Sequence, residues 1–401
     1  MQQPRIRVVV IGGGYAGTLA ANRLNRPEGA GSEAGSPALD VTLINPRAVF
    51  VERIRLHQLT ANTHAATLAY DTVLGSGIHL RVDTAELIDA PARQVLLGSG
   101  ARLDYDYLVY AVGSTSVAGT PGSPDGVAEF THSVADLESA QRLRAALAES
   151  PAHAPVTVVG GGLTGIELAS ELADNGHPVT LICAPVLGPS LSPRGRRGVA
   201  RQLRRAGVTV LDTSRVSQVR RDRVVLADGT DIPGALTVWT AGFSVPDLAT
   251  RSGLSTDPHG RLITDETLTS IDDERIVAAG DAVAPSGRPL RMGCQAAMPL
   301  GAQAASTVLA HLHGLPPTPL NQGFVGQAIS LGRSRGTIQL SRRDDTALNV
   351  CVGGRIAAMI KEAICVNTVR GLRREAVKPG SFSWPKGASR DLAPTPQIIE
   401  P

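Results

Sequence analysis

Apolar residues fall along this chain in short unbroken runs that stop at glycine. Val8-Val9-Val10-Ile11 ends at Gly12-Gly13-Gly14 and leads into Tyr15-Ala16-Gly17-Thr18-Leu19-Ala20-Ala21. An uninterrupted run with β-branched residues predicts a strand buried on both faces, as in a parallel sheet, and the Ala/Leu stretch after it predicts a helix. Val156-Thr157-Val158-Val159 repeats the arrangement, ending at Gly160-Gly161-Gly162 before Leu163-Thr164-Gly165 and a helix from Ile166 to Asn175. Further buried strands are predicted at 41–44, 105–114, 179–182, 236–242 and 275–282. Helices are predicted at 51–61, 135–148, 292–309 (broken or entered near Pro299) and 355–374. Strands and turns fill 78–103. The Gly/Ser/Pro-rich stretches Pro27–Pro37 and Thr115–Val127 read as an exposed mobile loop and a crossover between units.

The glycine spacing carries chemistry. Gly12, Gly14 and Gly17 are G-x-G-x-x-G, and so are Gly160, Gly162 and Gly165. The first glycine permits the tight turn, the second lets backbone approach a pyrophosphate, and the third lets helix pack close on strand. The helix amino end then offers free N–H groups and a positive dipole to phosphate oxygens. Two such loops in matching strand–helix settings predict two dinucleotide sites. A third landmark, Ala278-Ala279-Gly280-Asp281, ends a buried strand with a carboxylate on a turn, able to accept from a cofactor hydroxyl.

The chain has 401 residues and a formal net charge of +3, which gives no nucleic-acid signature. Aromatic residues make up only 3%, which argues against a base-stacking surface. Cys183, Cys294, Cys351 and Cys365 form no C-x-x-C pair and no zinc spacing, and read as reduced thiols of a cytoplasmic protein with no metal site. No apolar run reaches the roughly 18 residues of a membrane span, and the first apolar run reads as a strand, not a signal peptide.

From Arg5 to about His311 the chain resembles the two-dinucleotide flavoprotein reductases, and within them the type II NADH:quinone dehydrogenases and apoptosis-inducing-factor-like oxidoreductases. The resemblance implies an α/β fold of two Rossmann-like units, for FAD (1–115 and 245–315) and for NAD(P)H (116–244), plus a small α+β C-terminal domain (316–401). It implies that FAD meets Gly12, Gly14, Tyr15, Ala16, Gly17, Asn45, Ala111, Gly113, Gly280, Asp281, Gln295 and Ala296. The nicotinamide nucleotide would meet Gly160, Gly162, Leu163, Thr164, Gly165 and Gly242. Gly162-Leu163-Thr164-Gly165-Ile166-Glu167 is similar to the Gly-Phe-Thr-Gly-Ile-Glu of type II dehydrogenases, which makes Glu167 a candidate catalytic residue at the nicotinamide–flavin contact. Cys294-Gln295-Ala296-Ala297-Met298-Pro299 falls where that family has Ala-Gln-x-Ala-x-Gln. Gln295 and Ala297 match, so Gln295 is the second catalytic candidate, while Pro299 replaces the second Gln at the quinone pocket. The helix beginning near Gln295 is expected to point its N–H groups at reduced flavin.

Several choices stay open. Asn45 and Cys183 stand where such strands carry the acid that binds a ribose. Asn45 is either a ribose contact or a turn residue. Cys183 leaves NADH against NADPH undecided, with Arg194, Arg196 and Arg197 either near a 2′-phosphate or on a solvated helix start. His57, Arg53 and Arg55 are flavin-side or packing residues; Lys361 and Glu362 are equally ambiguous. The helix 355–374 puts Ile356, Met359, Ile360, Ala363 and Ile364 on one face and Arg370, Arg373 and Arg374 at its end, which suits either packing on the protein or docking on the inner face of a membrane. A second copy of the chain is a further candidate partner. Three functions are carried: an NAD(P)H dehydrogenase passing electrons to a quinone or similar small molecule, a reductase of a ferredoxin-type carrier, and a non-catalytic redox-sensing flavoprotein. The dithiol mechanism of disulfide reductases is not expected, because no paired cysteines are present.

Overall fold

The computed structural model describes residues 5–26, 38–120, 122–387 and 390. The expected loop 27–37 lies outside them. The first half of the chain runs β1 (Ile6–Ile11), α1 (Tyr15–Leu24), β2 (Leu39–Asn45), α2 (Leu56–Thr60), β3 (His79–Val82) and β4 (Tyr107–Tyr110). The next stretch runs β5 (Thr131–His132), α3 (Leu137–Glu149), β6 (Val156–Val159), α4 (Leu163–Asp174), β7 (Val179–Ile182), α5 (Pro193–Arg205), β8 (Thr209–Leu211) and β9 (Leu236–Trp239). The chain then returns through β10 (Ile276–Ala278) and α6 (Cys294–Leu312), and ends in β11 (Gly326–Ser330), β12 (Gly336–Ser341), β13 (Ala347–Gly354) and α7 (Arg355–Val377).

Two five-stranded parallel sheets result, in the orders β10-β4-β1-β2-β3 and β5-β9-β6-β7-β8. Val8, Val10, Leu43, Leu108 and Val109 are fully buried in the first, and Val158, Leu181 and Val238 in the second. Buried on both faces, these strands have no reason to alternate, which is why they read as continuous apolar runs. The two crossings between the sheets lie side by side, with Thr115–Ser116 pairing antiparallel to Phe243–Ser244. The last three strands form an antiparallel sheet, followed by α7.

Small residues set the helix packing. A Cβ on Gly301 of α6 would lie 2.1 Å from the Ala16 carbonyl of α1, so these two helices cross with backbone against backbone. Pro299 lies inside α6 without breaking it. A proline has no N–H for the carbonyl four residues back. That carbonyl, on Gln295, accepts instead from Gln322 Nε2 at 3.2 Å. The expected helix 51–61 is in fact an edge strand (Val49–Val51), a 3₁₀ turn (Arg53–Arg55) and α2. The β-branched and aromatic residues at 49–51 pair with Thr67–Ala69, a distant partner that overrides local preference. The expected long strand 105–114 is regular only over β4, because its end turns at Gly113 with φ +73°.

Candidate functional site

In the first glycine loop, a Cβ on Gly12 would lie 2.3 Å from the Ala111 carbonyl oxygen, and one on Gly17 would lie 1.8 Å from the Gly12 carbonyl oxygen. Strand end, turn and helix therefore touch through backbone alone. At Gly14 a Cβ would meet nothing within 4 Å. Gly14 also begins α1, and no side chain caps that helix end. Asn45, at the end of β2, accepts the Gly13 N–H at 3.0 Å and donates to the Arg47 carbonyl at 2.7 Å. Tyr70 donates its hydroxyl to the Gly13 carbonyl at 2.7 Å. Tyr15 and Ala16 are buried, the Tyr15 ring edge-on to Phe50 with centroids 5.2 Å apart.

The second loop repeats this crowding. Cβ atoms would lie 2.5 Å from Thr240 Oγ1 at Gly160 and 2.0 Å from the Gly160 carbonyl oxygen at Gly165, and would meet nothing at Gly162, the uncapped start of α4. Leu163 and Thr164, in the first turn, are half-buried. Gly242, with φ +87°, follows β9 and approaches Val117. Two helices elsewhere do carry side-chain caps: Asp136 accepts from Ser139 N at 2.8 Å before α3, and Ser192 from Gly195 N at 3.1 Å before α5.

Asp281 follows β10. It accepts from Ser114 Oγ at 2.7 Å and from Gly293 N at 3.1 Å, tying the turn after β4 to the start of α6. Gly280 packs against Ala16, at 3.2 Å from a Cβ to the Ala16 Cβ. Arg53 donates to the Ser114 carbonyl at 2.9 Å and lies against Gly113, where a Cβ would be 3.4 Å from its Nη1. Ala111 and Ala296 are buried close by. The α6 amino end also has no side-chain cap and is entered through Gly293 at φ +148°. The Gln295 amide fits best with Nε2 donating to the Gly326 carbonyl at 2.8 Å and Oε1 accepting from Val325 N at 3.3 Å, so this side chain ties α6 to β11.

Glu167, in the second turn of α4, is 8% exposed. Its Oε1 lies 2.8 Å from Lys361 Nζ of α7 and accepts from Ser330 N at 2.9 Å. His57 Nδ1 stands 3.9 Å from the other carboxylate oxygen, and its Nε2 is 3.1 Å from Ser330 Oγ. Burial opposes ionisation of Glu167, but Lys361, then His57 and the Ser330 N–H, hold its carboxyl below the usual range. Burial also works against the Lys361 ammonium, and Glu167 outweighs it, so the lysine stays charged. Burial pushes His57 down to about 4, and Glu167 offsets too little of it to keep the ring charged at neutral pH. The arrangement at pH 7 is a buried ion pair beside a neutral imidazole. It adjoins the α6 amino end, since the Lys361 charge acts on the Cys294 thiol. Arg55 joins Glu52, Gln58 and Glu362 in a neighbouring network, so His57 and Arg55 are buried in linked charge clusters, not surface residues.

The sequence reading singled out Glu167, Asp281 and the glycines, and the structure puts them at these turns and on the helices the turns open. It missed Tyr70, Ser114 and Ser330, whose single hydroxyl or N–H contacts leave no pattern, and it left Lys361 undecided. Two glycine loops with uncapped helix ends facing free space are the donor set that a pyrophosphate group needs, and so fit two dinucleotides. The four cysteines are all free thiols, with no disulfide among them. The apolar face of α7 is open to solvent, with Ile356 64% and Met359 72% exposed, and no helix among the described residues is long and apolar enough to cross a membrane.

Comparison with known proteins agrees with this geometry. An NADH dehydrogenase-like protein of Mycobacterium tuberculosis is 32% identical over 350 residues, which cover 81% of this chain and 86% of that protein. A type II NADH:quinone oxidoreductase of Staphylococcus epidermidis is 28% identical over 400 residues, 91% of this chain and 95% of that protein. The structure of NDH2 from Plasmodium falciparum in complex with NADH superposes with a TM-score of 0.75 at 15% identity, covering 95% of this chain and 99% of that one, and shares the fold. Residues 6–305 match the pyridine nucleotide-disulphide oxidoreductase family. With both glycine loops inside that span, the chain belongs to this family of FAD-dependent, NAD(P)H-using oxidoreductases, on its NADH dehydrogenase-like branch.

Proposed function

We propose that the chain is an NAD(P)H dehydrogenase that delivers electrons to a quinone or quinone-like small molecule. In this reading 1–115 with 245–315 hold FAD, 116–244 hold NAD(P)H, and 316–401 form the acceptor side. Gly12, Gly14 and Gly17 with the α1 amino end take the FAD pyrophosphate. Asn45 stands beside the ribose, and Tyr15, Ala16, Ala111, Gly113, Gly280, Asp281 and Ala296 line the rest. Gly160, Gly162, Leu163, Thr164, Gly165 and Gly242 receive the nicotinamide nucleotide. FAD, when bound, supplies the two-electron chemistry that links NAD(P)H oxidation to acceptor reduction.

The observation that carries the reading is the buried Glu167–Lys361 pair with Ser330 and His57. The overall reaction, NAD(P)H + H⁺ + quinone → NAD(P)⁺ + quinol, adds two electrons and two protons to the acceptor. A charged lysine and a neutral imidazole within one hydrogen-bonded cluster can hold and pass the protons that a carrier protein would not require. Gln295 fixes the α6 amino end against β11, and the N–H groups of that end favour negative charge. The exposed face Ile356, Met359, Ile360 and Ile364, with Arg370, Arg373 and Arg374 at its end, suits contact with the inner face of a membrane, where a lipid-soluble quinone resides.

The test is anaerobic reduction of the flavin-loaded protein by NAD(P)H, followed by mixing with a short-chain quinone or with a ferredoxin. Rapid reoxidation by quinone alone is the expected result. Reoxidation by ferredoxin alone, or no flavin bleaching by either nucleotide, overturns the reading.

A further inference from the structure

The second loop differs from the first at the position where a ribose is recognised. β7 pairs with β6 in the register in which β2 pairs with β1, so Cys183 occupies the place of Asn45. The Cys183 side chain is fully buried and makes no hydrogen bond among the described residues; burial, and then Asp212, push its thiol up to about 12, so it carries no charge. An acid at this position would accept from both ribose hydroxyls and would repel a phosphate on the 2′ oxygen.

Beside this strand end is an open cavity of about 510 Å³, lined among others by Val186, Leu187, Arg196, Arg197, Arg204 and Asp212. The single carboxylate there is committed to backbone, accepting from Leu187 N at 2.7 Å and Thr213 N at 3.2 Å. Arg196 donates through Nη2 to the Leu191 carbonyl at 3.3 Å, while its buried Nε has no partner. Arg197 and Arg204 are exposed and make no ion pair among the described residues. Three guanidinium groups thus face one internally used carboxylate. Planar guanidinium forks match phosphate oxygens in geometry and charge.

We propose that Arg196 and Arg197, in the first two turns of α5, with Arg204 behind them and Cys183 in place of an acid, select a reductant whose adenosine ribose bears a 2′-phosphate, so that this chain prefers NADPH to NADH. The inference rests on the second loop being the reductant site. It departs from the relatives above, which are named for NADH.

The test measures binding apart from turnover. Calorimetric titration of the FAD-loaded protein with 2′,5′-ADP and with 5′-AMP is expected to give about 10- to 100-fold tighter binding of 2′,5′-ADP, the gain of one or two charge-assisted hydrogen bonds. The margin should shrink as salt is raised. Arg197→Glu is at an exposed site and folds irrespective of the ligand; it should bring 2′,5′-ADP to the level of 5′-AMP without weakening 5′-AMP. Arg196→Gln should do the same in part. Equal binding of the two ligands, no binding of either, or a margin untouched by Arg197→Glu overturns the proposal. If 2′,5′-ADP binds with the expected arginine dependence but no quinone is reduced, the specificity stands and the quinone reading fails. If NADH reduces the flavin and quinone follows while the two ligands bind equally, the reverse holds.

Discussion

Gly12–Gly17 and Gly160–Gly165 are two copies of one backbone solution, and the side chains around them have parted. In each, a Cβ on the third glycine would lie about a bond length from the first glycine's carbonyl oxygen, 1.8 Å and 2.0 Å away. Two residues beyond, α1 has Leu19, fully buried in the first core, while α4 has Glu167, ion-paired to Lys361. At the neighbouring strand end, Asn45 holds the Gly13 N–H, whereas Cys183 has no polar partner. The loops agree where the chain meets itself and diverge where another element or a nucleotide is met.

The comparison breaks most severely if α4 is made to resemble α1. Glu167→Leu leaves the Lys361 ammonium buried without its partner, and should cost about 3–5 kcal/mol in chemical denaturation. The double variant Glu167→Leu/Lys361→Met should regain most of that, since it removes both charges. A double variant no more stable than the single one would show that the pair is not what holds α4 to α7.

Next come the glycines. Gly17→Ala and Gly165→Ala should each cost about 3 kcal/mol, because the added methyl meets a carbonyl that cannot move without unwinding the turn. Gly14→Val, where the Cβ faces open space, should leave the apoprotein's melting temperature nearly unchanged and lower its FAD content, read from absorbance near 450 nm. Full flavin occupancy would contradict the first loop's assignment.

Acid sharpens the comparison further, since the helix opened by the second loop carries Glu167, paired to Lys361 beside the buried imidazole of His57. The unfolded His57 titrates near 6.5 and the folded one at about 4. As pH falls below 6.5 the unfolded chain takes up the proton first, so stability is complete above that pH and falls by up to about 3 kcal/mol towards pH 4. Glu167, held below its usual range, adds its own loss at still lower pH. His57→Gln should flatten the first part of the curve; an unchanged curve would mean the imidazole is not the sensor. The smallest effect belongs to Asn45→Ala, about 1 kcal/mol from a lost hydrogen bond to Gly13.

The sheets were legible because buried parallel strands are written as apolar runs and the turns demand glycine at fixed spacing. Glu167 stood out only through the resemblance of Gly162–Glu167 to the type II dehydrogenases, and Asp281 as the carboxylate that ends the strand in Ala-Ala-Gly-Asp. Ser330 and Lys361 were not: they come from β11 and α7, and only the folded chain brings them to α4. Ser114 is a similar case, a serine in a glycine turn whose partner Asp281 is far along the sequence. The stretch 51–61 reads as one helix, but the strand that ends at Val51 pairs with residues 67–69, beyond any local window. The α7 face offered two readings, and it is unevenly covered: Ile356 and Met359 are mostly exposed, while Ile360 and Ile364 are 40% exposed.

The order of strands in the first sheet also bears on how the protein is made. Its edge strand β10, at Ile276–Ala278, hydrogen-bonds to β4, and α6 must then lie on α1. The second sheet needs only residues 131–239. On a translating ribosome the middle of the polypeptide is therefore able to close before its beginning, and the N-terminal segment waits with an open edge until the return strand emerges. Protease digestion of stalled nascent chains ending near residue 285, whose last roughly 35 residues are still inside the ribosome, should find the middle resistant and the first hundred residues still cleavable.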